Sequence, residues 1–163
     1  MNQNLFFTPT DILLPAHADM RRWSVIACDQ FTADAGYWQA VQDTVGDAPS
    51  TLRLMLPEFY LGKCDEAAAT REIQQTMRRY LDDGVFRTVP HSLVLVQRTL
   101  PGGTVRCGIV GALDLEAYDY APDSVTPIRA TEGTVASRLP ARVRIRAAAA
   151  LEMPHIMVFY SDP

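Results

Sequence analysis

SLVLVQRTLPGGTVRCGIVGAL, residues 92–113, contains two apolar, β-favouring runs on either side of the turn LPGG. Gly102 and Gly103 tolerate the positive φ angles of tight turns, so the stretch predicts an antiparallel hairpin with strands at 92–99 and 104–113. Helical patterns lie on both sides of this hairpin. The sequence therefore predicts an α+β fold with a mixed β-sheet and flanking helices.

The helical patterns are long and well bounded. Residues 33–45 and 65–83 repeat apolar side chains at helical spacing, and Gly46 and Gly84 follow their ends. A third helix is predicted over 140–150, with Pro140 at its start. Short strands are predicted at 23–27, 52–56 and 156–160, and residues 114–127 are predicted to form a loop.

Length and composition limit the class of protein. The chain has 163 residues, which suits one domain, so we expect a single α+β domain over 1–163. Its apolar stretches are far shorter than the roughly 20 residues of a spanning helix, and its start lacks the features of a secretion signal. These features predict a soluble, cytoplasmic protein with no membrane partner. Because the sequence stops directly after a predicted strand, we also expect it to be the N-terminal fragment of a longer protein.

Charge is distributed unevenly along the chain. The formal net charge is −4, yet residues 129–163 carry five arginines against three acidic residues and are net positive. The acidic remainder argues against a nucleic-acid partner, because backbone binding requires a broad positive surface. A local cluster of arginines suits a small anionic ligand better.

The segments IRATEGT, residues 128–134, and RLPARVRIR, residues 138–146, carry this cluster. Guanidinium groups match phosphate or carboxylate oxygens, glycine lets backbone N–H groups approach an anion, and a threonine hydroxyl adds a donor. The alternative is a solvated helix face in which the arginines pair with nearby acids. The predicted phosphate ligands are Arg129, Gly133, Thr134, Arg138 and Arg142.

Two carboxylates are candidate general bases beside this cluster. Glu132 lies within the first segment, and Asp29 follows the predicted strand at 23–27. Structural alternatives are a simple ion pair for Glu132 and a turn-forming contact for Asp29. Ser50 and His155 are further candidate phosphate ligands, with a turn hydroxyl and a structural histidine as their alternatives. The cysteines and histidines show no paired ligand spacing, so no metal site is predicted from them.

These residues also resemble the bacterial domain-of-unknown-function 1015 family. The resemblance rests on VIACDQFT (25–32), GDAPST (46–51), IRATEGT (128–134), RLPAR (138–142) and LEMPHIM (151–157). Many relatives have His-Glu-x-Thr where this chain has TEGT (131–134), so Glu132 and Thr134 match the pattern and Thr131 departs from it. Relatives are usually about twice this length.

The resemblance implies a function. The motif is similar to the phosphate-binding segment of ParB/sulfiredoxin-like folds, which include free-serine kinases. It therefore implies a phosphoryl-transfer or phosphohydrolase enzyme acting on a small metabolite such as serine or phosphoserine, so that the predicted partner is a small phosphorylated metabolite. The sequence does not identify a cofactor, and Mg²⁺ is a candidate because phosphoryl charge normally needs to be neutralised. The alternative is a non-catalytic module that binds a phosphometabolite or a nucleotide.

Overall fold

The structure is a computed structural model that describes residues 6–130, 133, 135–153 and 155–159. Helices and short strands are interspersed along the chain, and 3₁₀ turns occupy Thr51–Leu54, Glu58–Tyr60, Leu115–Ala117 and Ala136–Arg138. The elements in chain order are β1 (Phe7–Thr8), β2 (Thr10–Pro15), α1 (Met20–Trp23), α2 (Ala35–Val45), α3 (Glu66–Asp82), β3 (Phe86–Ser92), β4 (Val94–Thr99), β5 (Val105–Val110), β6 (Ala112–Leu113), β7 (Tyr118–Asp119), β8 (Ile128–Arg129) and α4 (Leu139–Arg146).

The chain divides into two compact units. Unit 1 comprises Met1–Leu14 and Arg87–Thr134, and unit 2 comprises Pro15–Phe86 and Val135–Pro163. Unit 1 contains most of the strands, whereas unit 2 contains all four α-helices listed above. The single domain over 1–163 stays a prediction.

The strands associate in pairs. β1 pairs with β6 and β4 pairs with β5, both antiparallel, while β7 pairs with β8 in parallel and β2 pairs with β3. The hairpin is confirmed, with its register running from Val94 opposite Val110 to Thr99 opposite Val105. The α+β class is also confirmed, but the described strands form two-stranded pairs rather than the single mixed sheet that the sequence predicted.

Unit 2 holds the apolar core. Asp34 caps α2 by accepting a hydrogen bond from the Tyr37 N–H at 2.9 Å, and Asp65 caps α3 by accepting from Ala67 and Ala68. Both helices confirm the predicted patterns at 33–45 and 65–83. Both helices contribute to the set of apolar side chains buried in this unit. These are Trp23, Trp38, Val45, Leu54, Ile73, Met77, Tyr80 and Leu151.

Two predicted strands in unit 2 are wrong, and the hydroxyls of Ser50 and Thr51 explain why. Both hydroxyls donate to the Trp23 carbonyl, and Thr51 Oγ1 accepts from the Val25 N–H at 3.2 Å. Side chains thus take the backbone groups of residues 23–27 that a neighbouring strand would need. Ser50 also accepts from the Leu52 N–H, which starts a 3₁₀ turn where 52–56 was predicted to be extended.

The predictions for the last part of the chain hold only partly. α4 ends at Arg146 rather than at 150, and side chains of α3 bind carbonyls at its end and just beyond it: Gln74 Nε2 donates to Arg144 O and Ile145 O, and Arg78 donates to Ala148 O. The strand predicted at 156–160 is absent from residues 156–159, whose apolar side chains are all exposed. Residue 160 lies outside the described residues.

Candidate functional site

The Glu58 carboxylate is the centre of a charged cluster in unit 2. Glu58 follows Pro57 and starts the 3₁₀ turn Glu58–Tyr60, and its side chain is only 8% exposed. Its Oε1 lies 2.8 Å from Arg142 Nη2, and its Oε2 lies 3.3 Å from Arg138 Nε. Each carboxylate oxygen therefore faces a different guanidinium group, so the negative charge is compensated on both sides.

Arg138 and Arg142 reach one carboxylate because of their spacing. Arg138 closes the 3₁₀ turn Ala136–Arg138 and immediately precedes α4, and a separation of four residues places both side chains on one side of the helix. Both side chains are 46% exposed. In the part of the chain that the structure describes, each uses only some of its five N–H donors, so donors remain for a ligand from solvent.

Asp29 and Cys28 lie beside this pair. Asp29 Oδ2 is 3.9 Å from Arg142 Nη2, and Asp29 Oδ1 accepts a hydrogen bond from Gln30 Nε2 at 3.2 Å. The Glu58 N–H donates to the Cys28 carbonyl at 2.8 Å, which fixes the two loops together. Burial raises the pKa of the Cys28 thiol, while the Arg142 guanidinium acts in the opposite direction and the Asp29 carboxylate adds to the increase.

The cluster is balanced in charge. Two carboxylates, Asp29 and Glu58, face two guanidinium groups, Arg138 and Arg142. Glu58 orients both arginines without consuming all their donors, an arrangement that can present several N–H groups to one incoming anion. The predicted residues Asp29, Arg138 and Arg142 are thus brought together.

The other arginines of α4 are engaged elsewhere. Arg144 forms an ion pair with Glu66 at the start of α3, and Arg146 forms one with Glu152 at 2.5 Å. The alternative interpretation, in which the arginines lie on a solvated helix face and pair with nearby acids, therefore applies to Arg144 and Arg146. Arg138, directly before this helix, and Arg142 within it form a second pair that shares a largely buried carboxylate.

Ser50 and His155 lie apart from the Glu58 contacts. Ser50 is fully buried, and its hydroxyl donates to the Trp23 carbonyl and accepts from the Leu52 N–H. Its backbone N–H donates to the Tyr80 hydroxyl at 3.0 Å. These contacts agree with the alternative interpretation of Ser50, in which its hydroxyl stabilises a turn. His155 is exposed.

The remaining predicted ligands belong to unit 1 or lie outside the described residues. Arg129 lies in β8, where it is opposite Asp119 in the strand pair, and it is exposed. Gly133 is exposed, with open space where a side chain would begin. Glu132 and Thr134 lie outside the described residues, so their roles stay predictions.

The sequence-based reasoning missed Glu58, the residue that joins the cluster. One signal was present: Glu58 is the only acidic residue among residues 48–64. A single carboxylate directly after a proline, in a largely apolar stretch, points to a specific partner, because an isolated charge is costly to bury. Its partners are about 80 residues away in sequence, and nothing in the local pattern identifies them.

The described ranges show neither a metal centre nor a membrane span. Within them, no group of three or more His, Cys, Asp and Glu side chains is arranged to hold a metal ion. They also contain no helix with the length and apolar character needed to cross a bilayer. The Mg²⁺ cofactor stays a prediction.

The fold and the site define an α+β protein with a paired carboxylate–guanidinium cluster. A family model described as "Protein of unknown function (DUF1015)" matches residues 9–163. The chain belongs to this family, which confirms that part of the resemblance. No curated protein and no solved structure matches the chain, so the likeness to ParB/sulfiredoxin-type proteins stays a prediction.

Proposed function

We propose that the chain acts on a small phosphorylated metabolite, such as phosphoserine, and that the cluster around Glu58 binds its phosphate group. The observation that supports the proposal is the sharing of Glu58 by Arg138 and Arg142, with both guanidinium groups half-exposed. Arginines held by a buried carboxylate are oriented before a ligand arrives, so less side-chain entropy is lost on binding. Two oriented forks also match the geometry of a phosphate.

The proposed chemistry is phosphoryl transfer or hydrolysis. In hydrolysis, water loses a proton to a base and attacks phosphorus, the bond from phosphorus to the ester oxygen breaks, and the leaving oxygen takes a proton from solvent. We propose Asp29 as the base that accepts the proton of the attacking water, and its support is a carboxylate that lies beside Arg142 and is more than a third exposed. Glu132 is the second candidate for this role.

A second candidate function is binding without turnover. The Asp29 carboxylate is held by Arg142 and by the Gln30 side chain. To act as a general base, Asp29 would have to give up these contacts and lose their stabilisation. The arrangement therefore favours a module that binds a phosphometabolite or a nucleotide without turnover.

The deciding experiment measures binding and turnover together. The full chain is incubated with phosphoserine, with and without ADP or pyrophosphate and with Mg²⁺, and released or transferred phosphate is measured beside phosphoserine affinity. We expect Arg142→Gln to weaken phosphoserine binding about ten-fold, because a charge-assisted contact is lost. Arg144→Gln is the matched control on the same helix and should bind normally.

The outcomes separate the candidates. Turnover that Asp29→Asn abolishes, with phosphoserine binding retained, supports the enzyme. Binding without phosphate release under every condition supports the sensing module instead. Equal effects of Arg142→Gln and Arg144→Gln, or no phosphoserine binding at all, would overturn the phosphate site.

A further inference from the structure

A depression of about 440 Å³ lies in unit 2, and its lining does not include the side chains of the Glu58 cluster. Three parts of the unit line it: the C-terminal half of α2, the segment between Leu52 and Tyr60, and the middle of α3. Its volume falls in the range of small-molecule sites, roughly 300–1,000 Å³. The apolar part of its lining includes Val45, Leu52, Met55, Leu56, Pro57 and Ile73.

The charged lining of this depression is net positive. It contains Arg53, Arg79 and Glu72. Arg53 donates to the carbonyls of Gly46 and Ala48. None of the ion pairs recorded in the described ranges includes these three residues.

This arrangement contrasts with that of the arginines of α4. Arg138 and the arginines within α4 form ion pairs with carboxylates. Arg79 instead donates to the Thr76 hydroxyl at 3.2 Å, which is a neutral acceptor. A guanidinium held by neutral partners beside an apolar surface keeps its attraction for an anion from solvent.

A neutral polar pair adds a further donor. Gln42 Nε2 donates to the Tyr60 hydroxyl oxygen at 2.7 Å, and both residues line the depression. Because that oxygen accepts the amide hydrogen, the phenolic hydrogen stays available to donate. The depression therefore combines an apolar lining with donors and positive charge.

We propose that this depression binds a small amphipathic organic anion. The apolar body packs against Leu52 and Leu56, and the anionic group is bound by Arg53 and Arg79. A carboxylate and a phosphate share the required chemistry. The inference does not rest on the proposed function, because none of the lining residues belongs to the Glu58 cluster.

The test uses the full chain and the fluorescent probe 8-anilinonaphthalene-1-sulfonate, an amphipathic anion. We expect Arg79→Ala to weaken probe binding about ten-fold, as expected for a lost charge-assisted contact. Arg71→Ala is the matched control, because Arg71 is exposed on the same helix and does not line the depression. Glu72→Gln should tighten binding, because it removes the opposing charge.

A second pair of variants tests the location. Ala69 lines the depression and Ala67, on the same helix, does not. Ala69→Trp should therefore block the probe while Ala67→Trp should not, with circular dichroism reporting the helix content of both. Displacement of the probe by octanoate or by octyl phosphate then distinguishes a carboxylate ligand from a phosphate ligand.

Several results would overturn the proposal. These are the absence of saturable probe binding, equal affinities for Arg79→Ala and Arg71→Ala, or equal affinities for the two tryptophan variants. If Ala69→Trp does not fold, the comparison of Arg79→Ala with Glu72→Gln decides, since only an anion site responds to them in opposite directions. Arg142→Gln should leave probe binding unchanged, so this test and that of the phosphate site fail independently.

Discussion

Arg142 Nη2 lies 2.8 Å from Glu58 Oε1, although the two residues are 84 positions apart in the chain. The contact joins the last helix of unit 2 to the 3₁₀ turn that follows Pro57. The Glu58 side chain is nearly buried, whereas the arginine is about half exposed. Without the ion pair, the charge of the nearly buried carboxylate would be left without compensation, whereas the half-exposed guanidinium would still be solvated.

Glu58→Gln should lower the free energy of unfolding by about 1–2 kcal/mol. The neutral amide cannot balance two guanidinium groups, and partial exposure of the arginines limits the cost. Urea denaturation measures the change. Glu72→Gln is the control, because Glu72 is exposed and takes part in none of the ion pairs within the described residues. This variant should change the free energy of unfolding by less than about 0.5 kcal/mol. A Glu58→Gln variant as stable as this control would contradict the prediction.

Tyr80→Phe should cost about 1–2 kcal/mol of unfolding free energy. The Tyr80 hydroxyl accepts the N–H of fully buried Ser50 at 3.0 Å, and the variant leaves that donor without its partner. Urea unfolding followed by tryptophan fluorescence reports the loss. Tyr37→Phe, in α2, removes a hydroxyl for which no hydrogen bond is described, and it should be close to neutral. Equal stabilities of the two variants would argue against the buried contact.

Asp65 should make the stability of α3 dependent on pH. The Ala68 and Ala67 amides lower the pKa of Asp65 from its ordinary value of 3.8. Because the pKa is lower in the folded chain, the charged carboxylate stabilises folding above 3.8, and this contribution is lost as the pH falls through the folded value.

Asp65→Asn keeps a capping oxygen but removes the charge. The stability advantage of the natural chain over this variant, measured by urea unfolding, should be present near pH 7 and shrink below about pH 4. Asp82→Asn, at the other end of α3, should cause no loss at either pH, because the helix dipole does not favour an anion there. A constant advantage across this pH range would rule out the charged cap.

Gly111→Ala should destabilise unit 1 by about 2 kcal/mol or more. An added Cβ at Gly111 would lie 2.7 Å from the Thr8 carbonyl oxygen and 2.6 Å from the Phe7 ring, so the β1–β6 pair has to shift. Gly108→Ala is the matched control, because a Cβ there meets nothing within 4 Å. Thermal unfolding compares the two variants, and a Gly111→Ala chain as stable as Gly108→Ala would refute the close approach.

Cys28 should react with iodoacetamide more slowly than the other cysteines near neutral pH. Burial raises the pKa of its thiol, and the thiolate is the reacting form. Cys64 and Cys107 are exposed and provide internal controls in the same sample. Peptide mass mapping over time gives the three rates, and modification of Cys28 first would be inconsistent with its surroundings.

Sequence patterns predicted the elements that are stabilised locally. The two long helices have side-chain caps within a few residues of their starts, and the hairpin is specified by the turn between its strands. The failures depend on distant partners. The backbone at Trp23 and Val25 is bonded to the hydroxyls of Ser50 and Thr51, more than 25 positions away, and no local pattern shows that contact.

The same distinction between local features and distant contacts applies to the candidate site. Four-residue spacing places Arg138 and Arg142 on one helix face, and Asp29 was selected as a loop carboxylate. Glu58 was missed because its importance arises only when the chain brings residues 58 and 142 together. The sequence therefore identified the cationic side of the cluster and one of its two acids.

The attachment of α4 has one more consequence. The described residues of this helix include none that is buried, and its contacts with α3 include one ion pair and hydrogen bonds from a side chain to backbone carbonyls. Salt screens the exposed ion pair between Arg144 and Glu66, whereas it leaves the apolar core nearly unaffected. With increasing ionic strength, amide hydrogens of this helix should therefore exchange with solvent earlier than those of α2, so that the C-terminal helix detaches before the unit unfolds.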